Sequence, residues 1–234
     1  MLQGKGGCGK TLVASLIAQS LKERGEPVVC IDTDPVNKSF TAIAALGAQP
    51  VRLVNGNKVD IGEMNAWSER AVAEDASFVV DNGASSYLPM LEYLLEAEIF
   101  ECLAESGKRV IVHMPVIGGR SLAHTVDALE LASKSLPPCV DIVPWFNPYF
   151  GPLVADDGAE LDETELYAGM ADRLSGPVKL PTLHPDYAGA YFDKMLDANR
   201  TFADERADTG GGMISRMWLE RTWKRIDEQI VQVL

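Results

Sequence analysis

A glycine-rich stretch near the start of the chain constrains the fold more than any other feature. The sequence MLQGKGGCGKT contains the spacing Gly-x-x-x-x-Gly-Lys-Thr from position 4 to position 11, which is the P-loop pattern. A segment with helical periodicity, residues 11–24, follows at once and stops before Gly25. A glycine-rich loop that leads directly into a helix is typical of phosphate binding, so the sequence predicts a nucleotide-binding α/β domain.

Each residue type in this loop has a physical reason. Glycines let backbone N–H groups converge on phosphate oxygens, and the helix directs its positive end at the same anion. Lys10 is expected to reach the β- and γ-phosphates, and Thr11 to offer its hydroxyl to Mg²⁺. The predicted nucleotide-binding residues of the loop are Gly4, Gly6, Gly7, Cys8, Gly9, Lys10 and Thr11. The alternative is a glycine-rich N-terminus that matches the motif by chance.

Apolar runs alternate with amphipathic segments along most of the chain. Buried strands are predicted at 28–31, 51–54, 78–80, 109–114, 140–146 and 178–181. Helices are predicted at 40–46, 61–73, 87–106 (two segments), after Gly118 and Gly119, and in two closing segments that end with 213–234. This alternation predicts an α/β fold with a mostly parallel sheet covered by helices on both faces. We expect one domain, 1–234, with the helices of about 185–234 packed on the sheet.

Acidic residues follow two of the predicted strands. Asp32 and Asp34 come after the run 28–31, and Asp81 comes after 78–80. Ligands of parallel sheets bind at the carboxyl ends of the strands, where these side chains should meet. Asp81 is expected to hold Mg²⁺, directly or through water, while one of the other two faces the metal and one the attacking water. Taken alone, Asp-x-Asp-Pro and Asp-Asn-Gly are more often turns.

The acidic composition of the chain makes nucleic acid a less expected partner. The 234 residues carry a formal net charge of −13, and six acidic residues lie between positions 156 and 165, a predicted surface loop. Nucleic-acid binding depends on a basic surface, so DNA is not favoured as the main partner. No apolar run is long enough to span a bilayer and no secretory signal is recognisable, so we expect a cytoplasmic protein.

The four cysteines are interpreted as reduced structural thiols. Cys30 and Cys139 lie in or beside apolar runs and are expected to be buried. An iron–sulfur site is not favoured, because neither Cys102 nor Cys139 follows a glycine-rich metal loop.

At this point the motifs resemble a known family. KGGCGKT resembles the deviant Walker A motif, K-G-G-x-G-K-[ST], of the ParA/MinD superfamily of ATPases. CIDTDPVN and FVVDNGASS are similar to its second acidic motif and its Walker-B segment. Together with WFNPYFGP, these stretches resemble most closely the TraL proteins of conjugative plasmids, over the first two thirds of the chain.

The resemblance implies roles for individual residues. Lys5 would be the signature lysine, which crosses an ATP-bridged homodimer and contacts the partner's nucleotide; with Lys10 and Asp34 it would make up the catalytic set. Asp34 would orient or activate the hydrolytic water, and Asp32 and Asp81 would hold the Mg²⁺ shell. Asn147 would contact adenine, although its alternative role as an Asn-Pro turn starter stays open.

Two departures from the family pattern stand out. The superfamily often has Asp-x-x-Pro where this chain has DNGASS. The family's first strand should lie directly upstream of Gln3, so we expect a truncated first strand, and a true start several residues upstream or a truncated form of the chain.

The leading hypothesis is a Mg²⁺-dependent ATPase of conjugative transfer that forms an ATP-dependent homodimer and hydrolyses ATP slowly unless a partner stimulates it. Other conjugative-transfer proteins are its expected partners. The alternatives are a plasmid-partition ATPase, which the acidic balance disfavours, and a nucleotide-gated scaffold with little turnover. The closing helix could also contact a membrane surface, but packing of its apolar stripe on the sheet is the favoured interpretation.

Overall fold

The computed structural model describes residues 1, 3–34, 37–55, 58–84, 86–155, 157–210 and 212–234. The α-helices are α1 (Lys10–Glu23), α2 (Ile61–Ala73), α3 (Tyr87–Glu96), α4 (Ile99–Glu105), α5 (Leu122–Ser135), α6 (Glu165–Ala168), α7 (Ala190–Asp197), α8 (Phe202–Ala207) and α9 (Met213–Val233). The strands are β1 (Val28–Asp32), β2 (Gln49–Pro50), β3 (Val54–Asn55), β4 (Lys58–Val59), β5 (Ser77–Asp81), β6 (Val110–Ile117), β7 (Val140–Asn147) and β8 (Val178–Lys179).

The strands form two parallel half-sheets. The first half-sheet has the order β2-β1-β5, and its register pairs Asp32 with Asp81. The second half-sheet has the order β6-β7-β8, and its register pairs Ile117 with Asn147. Strands β3 and β4 form a small antiparallel pair. The predicted α/β fold with parallel strands is therefore confirmed.

A cavity separates the two half-sheets. It has a volume of about 600 Å³ and is lined by β5 on one side and by β6 on the other. Among the described residues no strand is hydrogen-bonded between them. Residues ahead of the P-loop reach both sides, because the Met1 amino group donates to Val80 O at 2.8 Å and Gln3 Nε2 donates to Pro115 O at 3.3 Å. The P-loop is therefore held between the carboxyl ends of β5 and β6.

Two apolar clusters cover opposite faces of the second half-sheet. Successive strand residues point to opposite faces, and Val143 and Trp145 belong to one cluster while Ile142 and Phe146 belong to the other. The first cluster is covered by α1 and by the buried stripe of α9; the second is covered by α3, α4 and α5. Within the described part of the chain, no helix combines the length and apolar composition required to cross a bilayer.

Two element predictions near Asp32 were wrong. The segment 40–46, predicted as a helix, contains only a 3₁₀ turn at Ala44–Leu46, because Asp32 Oδ2 accepts bonds from the backbone and hydroxyl of Thr41. The run 51–54, predicted as a strand, contributes only Val54 to β3, while pairing with β1 falls to Gln49–Pro50. Val51 N donates instead to Asp32 O, at 2.9 Å, just past that pairing.

Other expectations need smaller corrections. Cys139 is exposed, in contrast to the predicted burial, because it lies in the turn before β7; Cys30 is buried as expected. Strand β6 runs three residues beyond its predicted end, which places Pro115 inside it. The acidic run 156–165 begins at Asp156, outside the described residues, and continues into a 3₁₀ turn at Leu161–Glu163 whose leucine is buried.

Candidate nucleotide-binding site

The P-loop follows a backbone path that requires glycine at two positions. Gly7 has φ +72° and Gly9 has φ +99°, both in the left-handed region that side chains other than glycine disfavour. Gly4 makes a close approach instead, since a Cβ there would come 3.2 Å from the ring of Tyr87. The side chain of Tyr87, at the start of α3, therefore packs against the loop, a contact that the sequence patterns did not predict.

The cation of Lys10 lies inside this loop. Its Nζ donates to Lys5 O at 2.9 Å and lies 4.0 Å from Cys8 Sγ, and the residue is only 8% exposed. Helix α1 begins at Lys10 with no acidic residue in its first turn and no side-chain cap at Gly9. A buried ammonium at an uncapped helix N-terminus favours an anion, so the loop has the electrostatics of a phosphate site.

Lys5 occupies the middle of the loop and is partly buried. Its backbone carbonyl is the acceptor for Lys10, and its own N–H donates to Gln3 Oε1 at 3.4 Å. Among the salt bridges of the described residues, none involves the Lys5 ammonium. Its predicted contact with a partner subunit stays a prediction.

Thr11 and Asp81 join the first turn of α1 to the end of β5. Thr11 Oγ1 donates to Asp81 Oδ2 at 2.6 Å. The other carboxylate oxygen, Asp81 Oδ1, is buried and has no hydrogen-bond partner among the described residues. Burial raises the pKa of Asp81 to about 6, against the bond from Thr11 that lowers it. An unpartnered buried carboxylate oxygen next to a hydroxyl indicates a place for a cation.

These donors suit Mg²⁺. Mg²⁺ takes oxygen ligands and keeps several waters, so it uses one or two protein groups together with nucleotide phosphates. Within the described ranges, no cluster of three or more His, Cys, Asp or Glu side chains is placed to hold a metal by itself. Thr11 and Asp81 supply two oxygen-bearing groups of the kind that Mg²⁺ uses together with nucleotide phosphates.

Asp32 is buried and already engaged. Its Oδ1 accepts from Asp34 N at 3.1 Å, and its Oδ2 accepts from the backbone N–H and hydroxyl of Thr41, both at 2.9 Å. Its charge also contributes to raising the pKa of the neighbouring Asp81. In this arrangement Asp32 organises the loop after β1, and a role in the metal shell would run through water.

Asp34 lies directly above the loop that follows β5. It is partly buried, and its Oδ1 accepts from Asn37 N at 3.0 Å. A Cβ on Gly83 would come 2.9 Å from Asp34 Cγ, so the two loops touch at this point.

Three buried polar residues that the motifs did not single out, Thr33, Asn82 and Ser86, lie beneath the contact. Their position beside the two acidic strand ends was the only signal in the sequence.

Asn147 ends β7 on the other half-sheet and reaches the P-loop. Its Nδ2 lies 3.1 Å from the position that a Cβ on Gly9 would occupy. Its Oδ1 accepts from Tyr149 N at 3.1 Å, which starts the 3₁₀ turn Pro148–Phe150. The residue thus acts as a turn starter and at the same time lies beside the loop predicted to hold the nucleotide.

The structure brings the predicted residues together at the carboxyl ends of both half-sheets. A glycine loop at a helix N-terminus, a buried lysine and a hydroxyl–carboxylate pair define a P-loop nucleotide-binding domain. The family model for the CobQ/CobB/MinD/ParA nucleotide binding domain matches residues 1–145, and the chain belongs to this family.

Two similar proteins are known from Escherichia coli, each named Protein TraL. One is 34% identical over 221 residues, which cover 94% of this chain and 91% of that protein. The other is 31% identical over 230 residues, which cover 98% of this chain and 95% of that protein. The predicted relationship to ParA/MinD proteins and to TraL proteins is therefore confirmed.

Proposed function

We propose that this chain is a Mg²⁺-dependent ATPase that dimerises when it binds ATP and acts in conjugative plasmid transfer. The single observation that carries the proposal is the Thr11–Asp81 pair. It places a hydroxyl and a carboxylate with an unpartnered buried oxygen at the end of the P-loop. Membership of the MinD/ParA nucleotide-binding family supports nucleotide as the ligand.

The residues around the P-loop have separate proposed roles in binding phosphate, holding Mg²⁺ and activating water. Lys10 gives up its bond to Lys5 O and binds the phosphates, while backbone N–H groups of the loop bind the remaining phosphate oxygens. Thr11 and ionised Asp81 hold the Mg²⁺ shell, and bound Mg²⁺ would supply charge neutralisation to the phosphates. Asp34 orients the attacking water and accepts its proton.

The proposed transfer role rests on the similar proteins, and the proposed dimer rests on Lys5 of the motif that resembles a deviant Walker A. Both similar proteins carry the name TraL, and the match covers nearly the whole chain. Lys5, with no ionic partner among the described residues, is the residue proposed to contact the nucleotide of a second copy and to add positive charge as the phosphoryl group is transferred. Other conjugative-transfer proteins are the proposed partners that stimulate hydrolysis.

The first experiment measures molar mass by light scattering with Mg-ADP and with Mg²⁺ and a non-hydrolysable ATP analogue. We expect a monomer with ADP and a dimer with the analogue. Lys5→Ala should lose the dimer yet keep nucleotide binding, and Lys224→Ala, which removes an exposed lysine of α9, serves as the control. Equal mass with both nucleotides would rule out the ATP-dependent dimer.

The second experiment separates an ATPase from a nucleotide-gated scaffold. Phosphate release is compared among the wild type, Lys10→Ala and Asp34→Ala, with and without candidate transfer proteins. A wild type that never exceeds Lys10→Ala would reject the enzyme and leave the scaffold. A salt titration of DNA binding with ATP present tests the partition alternative, and the net charge of −13 leads us to expect no binding.

A further inference from the structure

The loops after β1 and β5 are joined beneath Asp34 by a small buried network. Asp32 and Asp81 end the two strands in register, so Thr33 and Asn82 are the first residues beyond the sheet. Thr33 N donates to Asp81 O at 2.9 Å and continues the ladder by one step. The two loops that carry the proposed catalytic and metal residues are therefore already paired at their roots.

Asn82 is the centre of this network. Its Oδ1 accepts from the hydroxyl of Thr33 and from the hydroxyl of Ser86, each at 2.9 Å, and the Thr33 hydroxyl shares its proton with Asp81 O at 3.0 Å. All three side chains are at most 2% exposed. Ser86 also lies 3.1 Å from Gly83 O, at the N-terminus of α3. One amide thus connects the residue before Asp34 with the start of the helix whose first residue packs on the P-loop. We call this set, Thr33, Asn82 and Ser86, the Asn82 bridge.

Gly83 adds a second connection directly under Asp34. An added Cβ would lie 2.9 Å from Asp34 Cγ, 3.0 Å from its Cα and 3.1 Å from its Cβ. Contacts this short involve backbone as well as side chain, so any larger residue would displace Asp34. The absence of a side chain at position 83 is what allows the two loops to touch.

The bridge has an unused donor. Asn82 Nδ2 is buried and has no hydrogen-bond partner among the described residues. A buried donor without an acceptor is unfavourable, so a loop arrangement that supplies one would be favoured over this one. This unused donor lies in the loop that begins at Asp81, the residue proposed to hold the metal.

We propose that Asn82 and Gly83 are positioning residues that make the placement of Asp34 depend on the loop of Asp81. This inference rests on the proposed function for its catalytic consequence, and on the Thr33–Asn82–Ser86 contacts for its structural one. The bridge includes no residue of the P-loop itself, so nucleotide binding should depend on it less than hydrolysis does. Hydrolysis, which requires Asp34 at its place, does.

Hydrogen exchange of the nucleotide-free protein tests the coupling without any turnover. Asn82→Leu removes the amide at similar volume, and it should increase exchange in peptides that cover Thr33 and Asp34. Thr33→Val should reciprocally increase exchange in peptides that cover Asn82 and Ser86. Thr222→Val is the matched control, because Thr222 is a buried threonine in α9 that bonds Trp218 O far from the network. Unchanged exchange at Thr33 in Asn82→Leu would overturn the coupling.

Measurements of ATP turnover then test the proposed effect of the Asn82 bridge on hydrolysis. A small displacement of a catalytic group costs about tenfold to a hundredfold in rate, so each of Thr33→Val, Asn82→Leu and Gly83→Ala should lower kcat by that factor. Their Kd for Mg-ADP should change less than about twofold. The double variant Thr33→Val/Asn82→Leu should be no slower than the worse single variant, because both remove one bridge.

Several outcomes separate the two proposals. Multiplying effects in the double variant, or a parallel loss of nucleotide affinity, would show independent or merely structural roles and overturn the positioning role. A wild type without turnover would reject the ATPase while the exchange measurement still decides the coupling. Gly62→Ala, in α2 where an added Cβ meets only Asp60 Oδ1 at 3.4 Å, is the control for Gly83→Ala.

Discussion

The two half-sheets carry opposite kinds of buried titratable group. The first half-sheet ends in Asp81, whose pKa burial raises to about 6. The second contains His113 in β6, whose pKa burial lowers to about 3. Loss of water disfavours the charged form in both cases, and so it acts in opposite directions on an acid and a base. The same physical cause therefore gives the two sides of the molecule opposite responses to pH.

The difference between Asp81 and His113 indicates which half-sheet carries the proposed chemistry. His113 stays neutral, and its Nδ1 accepts from Trp145 Nε1 at 3.0 Å, so its polar atom serves the packing of the second half-sheet. Asp81 keeps one oxygen without a partner among the described residues, so the bond from Thr11 and the positive charges of the Met1 amino group and Lys10 offset its burial only in part. A buried carboxylate that is only partly compensated lowers stability, and here it supplies the site proposed for a metal.

The largest expected effect comes from Asp81→Asn. Loss of the charged metal ligand should lower ATP turnover by about a hundredfold or more, the range for removing a group that holds transition-state charge. The nucleotide-free variant should nevertheless melt at a higher temperature than the wild type at neutral pH, because it buries no ionisable carboxyl. Turnover assays and thermal unfolding, run on the same preparations, measure the two effects.

The pH dependence of the gain in melting temperature follows from the direction in which the pKa of Asp81 is shifted. The pKa of Asp81 is higher in the folded protein, about 6, than the ordinary 3.8, so the folded state holds its proton more tightly. Its contribution to stability is therefore full below the ordinary value and is lost as pH rises through about 6. The gain in melting temperature should therefore vanish near pH 3.8, which is the ordinary pKa of the carboxyl group. A gain that is equal at acidic and neutral pH would contradict the assignment, and Asp127→Asn, an exposed site on α5, is the control.

A smaller effect is expected on the second half-sheet from Asn147→Ala. Its side chain lies beside Gly9 and is proposed to contact the base, so ATP affinity should fall about tenfold, the value of one hydrogen bond. Tripolyphosphate, which has no base, should bind the variant as well as the wild type. Competition against a fluorescent nucleotide measures both, and Asn65→Ala is the control on the exposed face of α2.

An equal loss of ATP and tripolyphosphate affinity would show that Asn147 acts through the P-loop and not through the base. The proposed contact of Asn147 with the base would then be wrong. The bond that Tyr149 N donates to Asn147 Oδ1 at the start of the turn gives a separate check. Asn147→Ser, which keeps a short acceptor at the start of the turn, should restore the turn without restoring base recognition.

The sequence predicted the site where local patterns carry the information. The P-loop spacing, the apolar run before each acid and the helical period after Thr11 are all contiguous in the chain. The parallel fold followed from their alternation, because apolar runs that are buried on both faces need helices between them. Those features could be found without knowing any long-range contact.

Contacts between distant segments could not be predicted in the same way. The bonds from Thr41 to Asp32 Oδ2, which replace the helix predicted at 40–46, could not be predicted from the helical pattern of that segment, and the metal role of Asp32 stays a prediction. The Asn82 bridge joins Thr33 to Ser86 across a separation of more than fifty positions. Such bonds depend on the register of β1 and β5, which the apolar runs alone do not determine.

The smallest effect on function is expected from His113→Gln. Glutamine can accept a hydrogen bond from the Trp145 indole N–H in place of Nδ1 and does not titrate, so nucleotide affinity at neutral pH should not change.

The pKa of His113 is lower in the folded protein, about 3, than the ordinary 6.5, so its contribution to stability is present above pH 6.5 and is lost as pH falls toward 3. The wild type should therefore lose more stability on acidification than the variant does, by up to about 1.4 kcal/mol per pH unit. Urea unfolding between those limits measures the slope, with His124→Gln, an exposed histidine of α5, as the control. Equal slopes in wild type and His113→Gln would show that the second half-sheet does not contribute its own pH response, and the contrast with Asp81 would fail.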